Sequence, residues 1–240
     1  MTENTENLPV SWEDQMAADA KDLMERERPA LSFMSLKSGV MSIGGEPVPD
    51  NELDVIVVAV ASEMVYYDTP YDSDVRAAPA CYAIGDCRTE DLIPNSEVDS
   101  PVAESCVACP NFVWGSDPKG GKGRACKERR RLALLPADGS AELCILNIPG
   151  TSIKNWSNHV RTIVATTGLS PAAVVTKIKV KPHMKNQFEV LFSVVCDVPE
   201  DLRGTVMAKR QVGMDAILQP YPKADEEEAP KPKSKSKRKY

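Results

Sequence analysis

The chain has 240 residues, 42% hydrophobic and 27% charged, with a formal net charge of −6; this suits a soluble protein of one sizeable domain with an elaboration, or of two small ones. No apolar run approaches the roughly 18–20 residues of a membrane span, and the acidic, polar start "MTENTENLPVSWEDQ" does not read as a secretory signal. The net charge conceals a split: residues 1–105 carry 22 Asp/Glu against 6 Lys/Arg, and residues 106–240 carry 13 against 23, which points to an anionic partner for the basic half.

In chain order, residues 1–10 read as disordered. "SWEDQMAADAKDLMERERP" then offers Ser11 as a cap, acids in the first turn and Pro29 as a stop, so an amphipathic helix is expected. "ALSFMSLKSGVMSIGG" reads as one or two strands ending at a glycine turn. The β-branched run "ELDVIVVAVASEMVYYD" reads as a central strand buried on both faces. From about Asp68 to Cys126 the hydrophobic signal lapses and prolines accumulate. A structureless loop of that length inside a compact domain is improbable, so something other than an apolar core must organise it. "RRRLALLPADGSAELCILNIP" is a hairpin around Pro136–Ser140. "TSIKNWSNHVRTIVATTG" is a helix capped by Thr151 or Ser152, stopped by Gly168, with a stripe through Ile153, Trp156, Val160, Ile163 and Val164. "AAVVTKIKVKPH" and "NQFEVLFSVVCDV" are two more strands, and Pro199 opens a final helix. The tail from residue 223, "ADEEEAPKPKSKSKRKY" at its core, is low-complexity and unfolded.

The fold class is therefore mainly β with added helices (α+β). Five or six strands with a helix near the middle suit a small, partly open barrel of the OB kind, with a generic α+β sheet as the competing architecture. The domain runs over 11–222, with residues 70–127 as an insertion.

Seven cysteines are an odd number, and Cys106, Cys109 and Cys126 form a CxxC…C pattern. In a reducing cytoplasm that favours metal over disulfides. One structural zinc needs a fourth ligand, and Cys81 and Cys87 are both upstream candidates. His159 and His183 fall in regular structure and are poorer ones. Cys144 and Cys196 share strand faces with aliphatic residues and read as buried hydrophobes. No residue spacing marks a hydrolytic or deaminating zinc, and no nucleophile–base pair or paired-carboxylate arrangement is legible, so a non-enzyme is expected.

Between Cys106 and Arg131 lie seven cations: Lys119, Lys122, Arg124, Lys127, Arg129, Arg130 and Arg131. Phe112 and Trp114 precede them, and Lys177, Lys179 and Lys181 share one strand face by period two. Cations that track phosphates beside aromatic faces that stack bases are the means of binding a single-stranded nucleic acid.

The string "PACYAIGD…EDLIPN…CVACPNFVWGS…GKGRACKERRRLALL", followed by "SIKNW", resembles a group of tailed-phage proteins read as single-stranded DNA-binding proteins with a zinc-stabilised insertion in an OB fold. The resemblance is close over residues 79–156 and only in outline beyond. It implies Cys81 as the fourth ligand beside Cys106, Cys109 and Cys126, with the extra Cys87 as a departure. It further implies single-stranded DNA as partner, replication or recombination proteins as further contacts, no membrane association, and the cytoplasm of the infected bacterial host as the setting. A second departure is the tail, where "DEEE" is followed by "KPKSKSKRKY". The competing function is a zinc-ribbon interaction or transcription-regulating factor that binds a polymerase or nuclease.

Overall fold

A computed structural model describes residues 32–69, 78–138 and 142–221, with positions 11, 12, 15, 16 and 19. The disorder expected at 1–10 and 223–240, most of the helix expected over 11–28, and the Gly139–Ser140 part of the hairpin turn lie outside the described residues. Trp12, Gln15, Met16 and Asp19 are helical, in accord with that first helix.

The β-branched run forms β4 (Glu52–Tyr66), 15 residues long and buried along most of its length. One edge of β4 pairs antiparallel with β6 (Lys127–Pro136), from Val55↔Pro136 to Val65↔Lys127. The other edge is shared: β8 (Val174–His183) pairs with residues 52–55, and β5 (Cys81–Gly85) with residues 62–66. A bulge between Val57 and Ala59 turns both Val58 and Ala59 toward the same core cluster. β7 (Cys144–Pro149) completes the predicted hairpin with β6, and β9 (Gln187–Asp197) pairs with β8. The short β1 (Ser32–Ser35), β2 (Ser42–Ile43) and β3 (Glu46–Pro47) extend the sheet beyond β7, with β1 parallel to it. The order is β3-β2-β1-β7-β6-β4-β8-β9, with β5 off the path on β4.

The sheet is curled and open, half a barrel. Its inner face gathers Met34 of β1, Leu134 of β6, Ile178 of β8 and Val190 of β9 into one apolar cluster, although these strands run from β1 to the far edge at β9. The turn at Gly39 rests on Phe188, with room of only 3.3 Å for a Cβ. Among the described residues no ladder joins β9 to β7. The helix α1 (Ile153–Thr167) fills that gap, burying Trp156, His159 and Ile163. Trp156 is core, as its position on the apolar stripe requires. Gly168 ends the helix at φ 70, as expected of a left-handed cap. Ser152 does not cap it through its side chain; its buried hydroxyl instead accepts from Val190 N at 2.9 Å, and Asn155 Nδ2 donates to Val190 O at 3.0 Å. The hydroxyl satisfies a strand N–H that no sheet partner reaches.

The outer face is covered by α2 (Glu200–Ile217), which packs Val206, Ala216 and Ile217 against Ile56, Val58, Ala133, Leu135 and Ile145. At Gly213 the helix comes so close that a Cβ would stand 2.9 Å from Val58 and 3.0 Å from Ala133. Cys144 is buried, as expected. Cys196 is exposed, contrary to the period-two reading, because it lies beyond a bulge at the end of edge strand β9.

Candidate metal centre and nucleic-acid interface

The proline-rich stretch is ordered by short backbone turns. β5, hidden in it, sets Cys81 beside Tyr66 and Ala83 beside Met64. Cys106 N donates to Leu92 O, Cys109 N to Cys106 O at 3.2 Å, Phe112 N to Cys109 O at 3.0 Å, and Cys126 N to Asn111 O at 3.0 Å. These bonds fold the CxxCP turn and bring Cys126 beside it. A small core of Met64, Ala83, Leu92, Cys106 and Cys126 forms underneath, with Tyr66 and Phe112 packed against it.

Cys81, Cys106, Cys109 and Cys126 line one cavity of about 20 Å³, room for a single water-sized species. Cys87 is exposed and outside that lining, with its carbonyl accepting from Ser62 Oγ at 2.7 Å. Burial, then the neighbouring thiols, pushes Cys106 up to about 11. The same causes push Cys126 up to about 12, against a small opposing pull from Lys127. Without a cation these thiols stay protonated at neutral pH; a set of four sulfur donors is the kind zinc takes tetrahedrally. Among the described residues no three Cys, His, Asp or Glu side chains form a closed metal-ligand group. The four thiols share a cavity wall without converging on one point, and each reorients about a single torsion. His159 is buried with Nε2 3.0 Å from Thr176 Oγ1, and His183 receives the Lys185 and Asn186 N–H groups; neither lines the cavity.

Above this core the loop 113–123 closes through Gly115 N to Gly123 O at 2.8 Å, with Gly115 at φ 91. Ser116 Oγ donates to Asn111 O and accepts from Ala125 N, so the two arms run side by side. The Arg124 guanidinium lies 4.1 Å from the Phe112 ring centre and 4.3 Å from that of Trp114. Lys119 and Lys122 are exposed, with no carboxylate paired to them among the described residues. Lys127 is bound to Asp117 Oδ2 at 2.5 Å, which holds that carboxyl below its usual range. Arg130 pairs with Glu128 at 3.1 Å, and Glu128 also accepts from Thr89 Oγ1 at 2.8 Å. Arg129 is half-buried without an ion pair among the described residues.

Arg131, expected to face a phosphate, is buried. Its Nε and Nη2 donate to Glu63 Oε1 at 3.0 and 2.8 Å, and its Nη1 to the carbonyls of Ile217 and Gln219. Tyr221 closes the cluster: its hydroxyl donates to Glu63 Oε1 at 2.7 Å, and its ring lies 4.9 Å from Arg131 Cζ and edge-on to Tyr82. Burial, then Glu63, raises the Tyr221 pKa. The sequence held a signal for this latch. Glu63 is the one carboxylate within the buried run Val55–Val65, and a buried charge needs a partner.

Lys177 and Lys179 are also engaged internally. Lys177 Nζ lies 3.5 Å from Glu52 and 3.4 Å from Asp54, and Lys179 pairs with Glu52. Lys181 is exposed, opposite Glu189. The register puts Lys177 beside Asp54 and Cys81 beside Tyr66, which is about 40 Å of strand path at ~3.3 Å per residue. The two basic groups are therefore at opposite ends of β4. The two predicted strands bracket the β8–β9 turn, but the expected DNA-binding set leaves out its tip, where Met184 is fully exposed and Lys185 is exposed.

Fold and site together define a mainly-β protein: a curled open sheet with α1 and α2 packed on it, and a cysteine-lined module inserted between two central strands. Comparison of the chain with family models, curated proteins and solved structures finds no match.

Proposed function

We propose that the protein binds single-stranded DNA without catalysing a reaction, and that one zinc ion braces the insertion carrying the contact loop. The observation that carries this reading is the loop itself. Trp114 is 69% exposed in the same loop as the exposed Lys119 and Lys122, and that loop runs between Phe112 and Cys126, which line the cavity together with Cys81, Cys106 and Cys109. An exposed tryptophan in a loop with exposed cations suits a ligand with phosphates and unstacked bases. Zinc, when bound, would supply the charge that keeps the four thiolates together, two of them, Cys106 and Cys126, buried; the residues around it then hold Phe112 and Trp114 in place.

Strand order supports an OB-like barrel. The neighbours β7-β6-β4-β8-β9, with α1 between the third and fourth of these strands in sequence, follow the order of a five-stranded OB barrel left open between β7 and β9. In that architecture the loops joining strands one and two, and four and five, flank an oligonucleotide. Here those are the cysteine insertion and the His183–Gln187 turn, where Lys181 and Lys185 supply cations. A role in phage replication or recombination, in the host cytoplasm, rests on the resemblance over residues 79–156.

A second reading, a zinc-bearing protein that docks onto a polymerase or nuclease, is favoured by one observation. Arg124, Lys127, Arg130, Arg131, Lys177 and Lys179 are already paired to carboxylates, which leaves fewer charges for phosphates. Titrating fluorescein-labelled oligo-dT at two salt concentrations, with metal content measured on the same sample, separates the readings. DNA binding requires affinity that falls with salt by a log–log slope of about −0.7 per phosphate neutralised and exceeds that for duplex. Metal without measurable single-strand affinity selects the docking protein.

A further inference from the structure

We infer that Arg124 acts as the middle plate of a three-layer stack that presents the outer face of Trp114 to an unpaired nucleobase. It is a positioning residue and not a phosphate contact. The inference rests on the single-strand reading above and deepens it by naming what Trp114 receives.

The stack is anchored from below. Phe112 packs against the core that contains Cys106 and Cys126. The Arg124 guanidinium lies over Phe112 at 4.1 Å and over Trp114 at 4.3 Å, contacts of cation–π kind. Trp114 remains 69% exposed, so one face is free. The chain neighbours of this tryptophan, Val113 and Gly115, are themselves exposed, and the contact that ties its ring to the loop is Arg124. The charged group is poorly placed for phosphate. Its side chain is 20% exposed, its Nε is buried without a hydrogen-bond partner, and its Nη1 is 3.9 Å from Glu128. Planarity is therefore what Arg124 contributes, and a lysine, which has the charge but not the plane, cannot replace it. A ring held in place before binding loses less freedom when a base stacks on it.

The test compares Arg124→Lys, Arg124→Ala, Trp114→Ala and the double variant Arg124→Ala/Trp114→Ala. Each is checked for metal content and titrated with oligo-dT and with an abasic strand of equal length. The full-length protein binds oligo-dT about tenfold more tightly than the abasic strand, the worth of one base stack. Arg124→Lys and Arg124→Ala each lose most of that preference with an unchanged salt slope. The double variant binds no worse than Trp114→Ala alone, since both changes remove the same stack. In ¹⁵N spectra of the free protein, the Trp114 indole signal, assigned by Trp114→Phe, shifts in Arg124→Lys while the other indole signals stay. If Arg124→Lys binds like the parent while Arg124→Ala lowers the salt slope by about 0.7, Arg124 is a phosphate contact and the inference is wrong. Equal affinity for oligo-dT and the abasic strand also overturns it, leaving single-strand binding intact. No affinity for either strand overturns both.

Discussion

The sheet and the cysteine module solve the same problem with different means. The sheet buries two clusters, one on each face, drawn from β-branched and aliphatic strands. The module spans residues 78–126, yet its core cluster holds only Met64, Ala83, Leu92, Cys106 and Cys126, of which Met64 belongs to β4. Hydrophobic burial at about 25 cal/mol per Å² holds the first and falls far short for the second, which relies on backbone turns and on four thiols lining one cavity. Order that rests on a few polar or metal contacts can be removed piecemeal, whereas order that rests on a continuous core cannot. That difference can be tested directly.

The largest effect is expected from chelation, or from Cys106→Ser. Amide exchange should rise throughout 78–126 while β4, β6 and β8 stay protected. Oligo-dT affinity should fall by roughly tenfold or more, the worth of at least one lost stack. Uniform loss of protection across sheet and module together would show that the two regions are not separable.

Next comes the latch that ties the sheet to the end of α2. Arg131→Met leaves Glu63 buried without a counter-charge and should cost about 3–5 kcal/mol in urea unfolding. Adding Glu63→Leu should recover part of that loss, because an apolar pair has no charge to desolvate. If Arg131→Met unfolds at the parent's midpoint but binds DNA poorly, Arg131 belongs to the interface after all.

A smaller effect distinguishes the two basic groups. Lys119→Ala and Lys122→Ala should each reduce the salt slope for oligo-dT by about 0.7. Lys177→Ala and Lys179→Ala should leave it nearly unchanged, since Glu52 and Asp54 already hold those charges. Salt slopes measured on the four variants decide between them.

The smallest effect concerns pH and belongs to the sheet alone. Burial holds the His159 pKa below its ordinary 6.5. On the acid side of that value the unfolded chain takes up a proton that the folded chain refuses, so stability is full above it and declines as pH falls toward the folded pKa. His159→Gln should flatten that decline in a denaturation series between neutral and mildly acid pH.

Much of the sheet was legible because its signals are local. The run Val55–Val65 could only be a buried strand, and the stripe ending at Gly168 only a helix. β5 escaped notice because Cys81–Gly85 is five residues long between prolines. The parallel pairing of β1 with β7 escaped because its partners lie more than a hundred residues apart. The basic run misled for a related reason. Period two puts Arg129 and Arg131 on one face and Glu128 and Arg130 on the other, but composition says nothing about which face is covered.

By itself the sequence determined the mainly-β character, the hairpin, the helix stopped by Gly168, the helix opened by Pro199, and which cysteines could belong to one site. Those follow from periodicity, turn chemistry and spacing, which are written into neighbouring residues. Only the tertiary structure decided which cations remain free, that Arg131 serves a buried latch, and that Arg124 lies between two rings. Each of those depends on partners brought in from distant strands or loops, and a side chain's charge is available to a ligand only where the fold has not already used it.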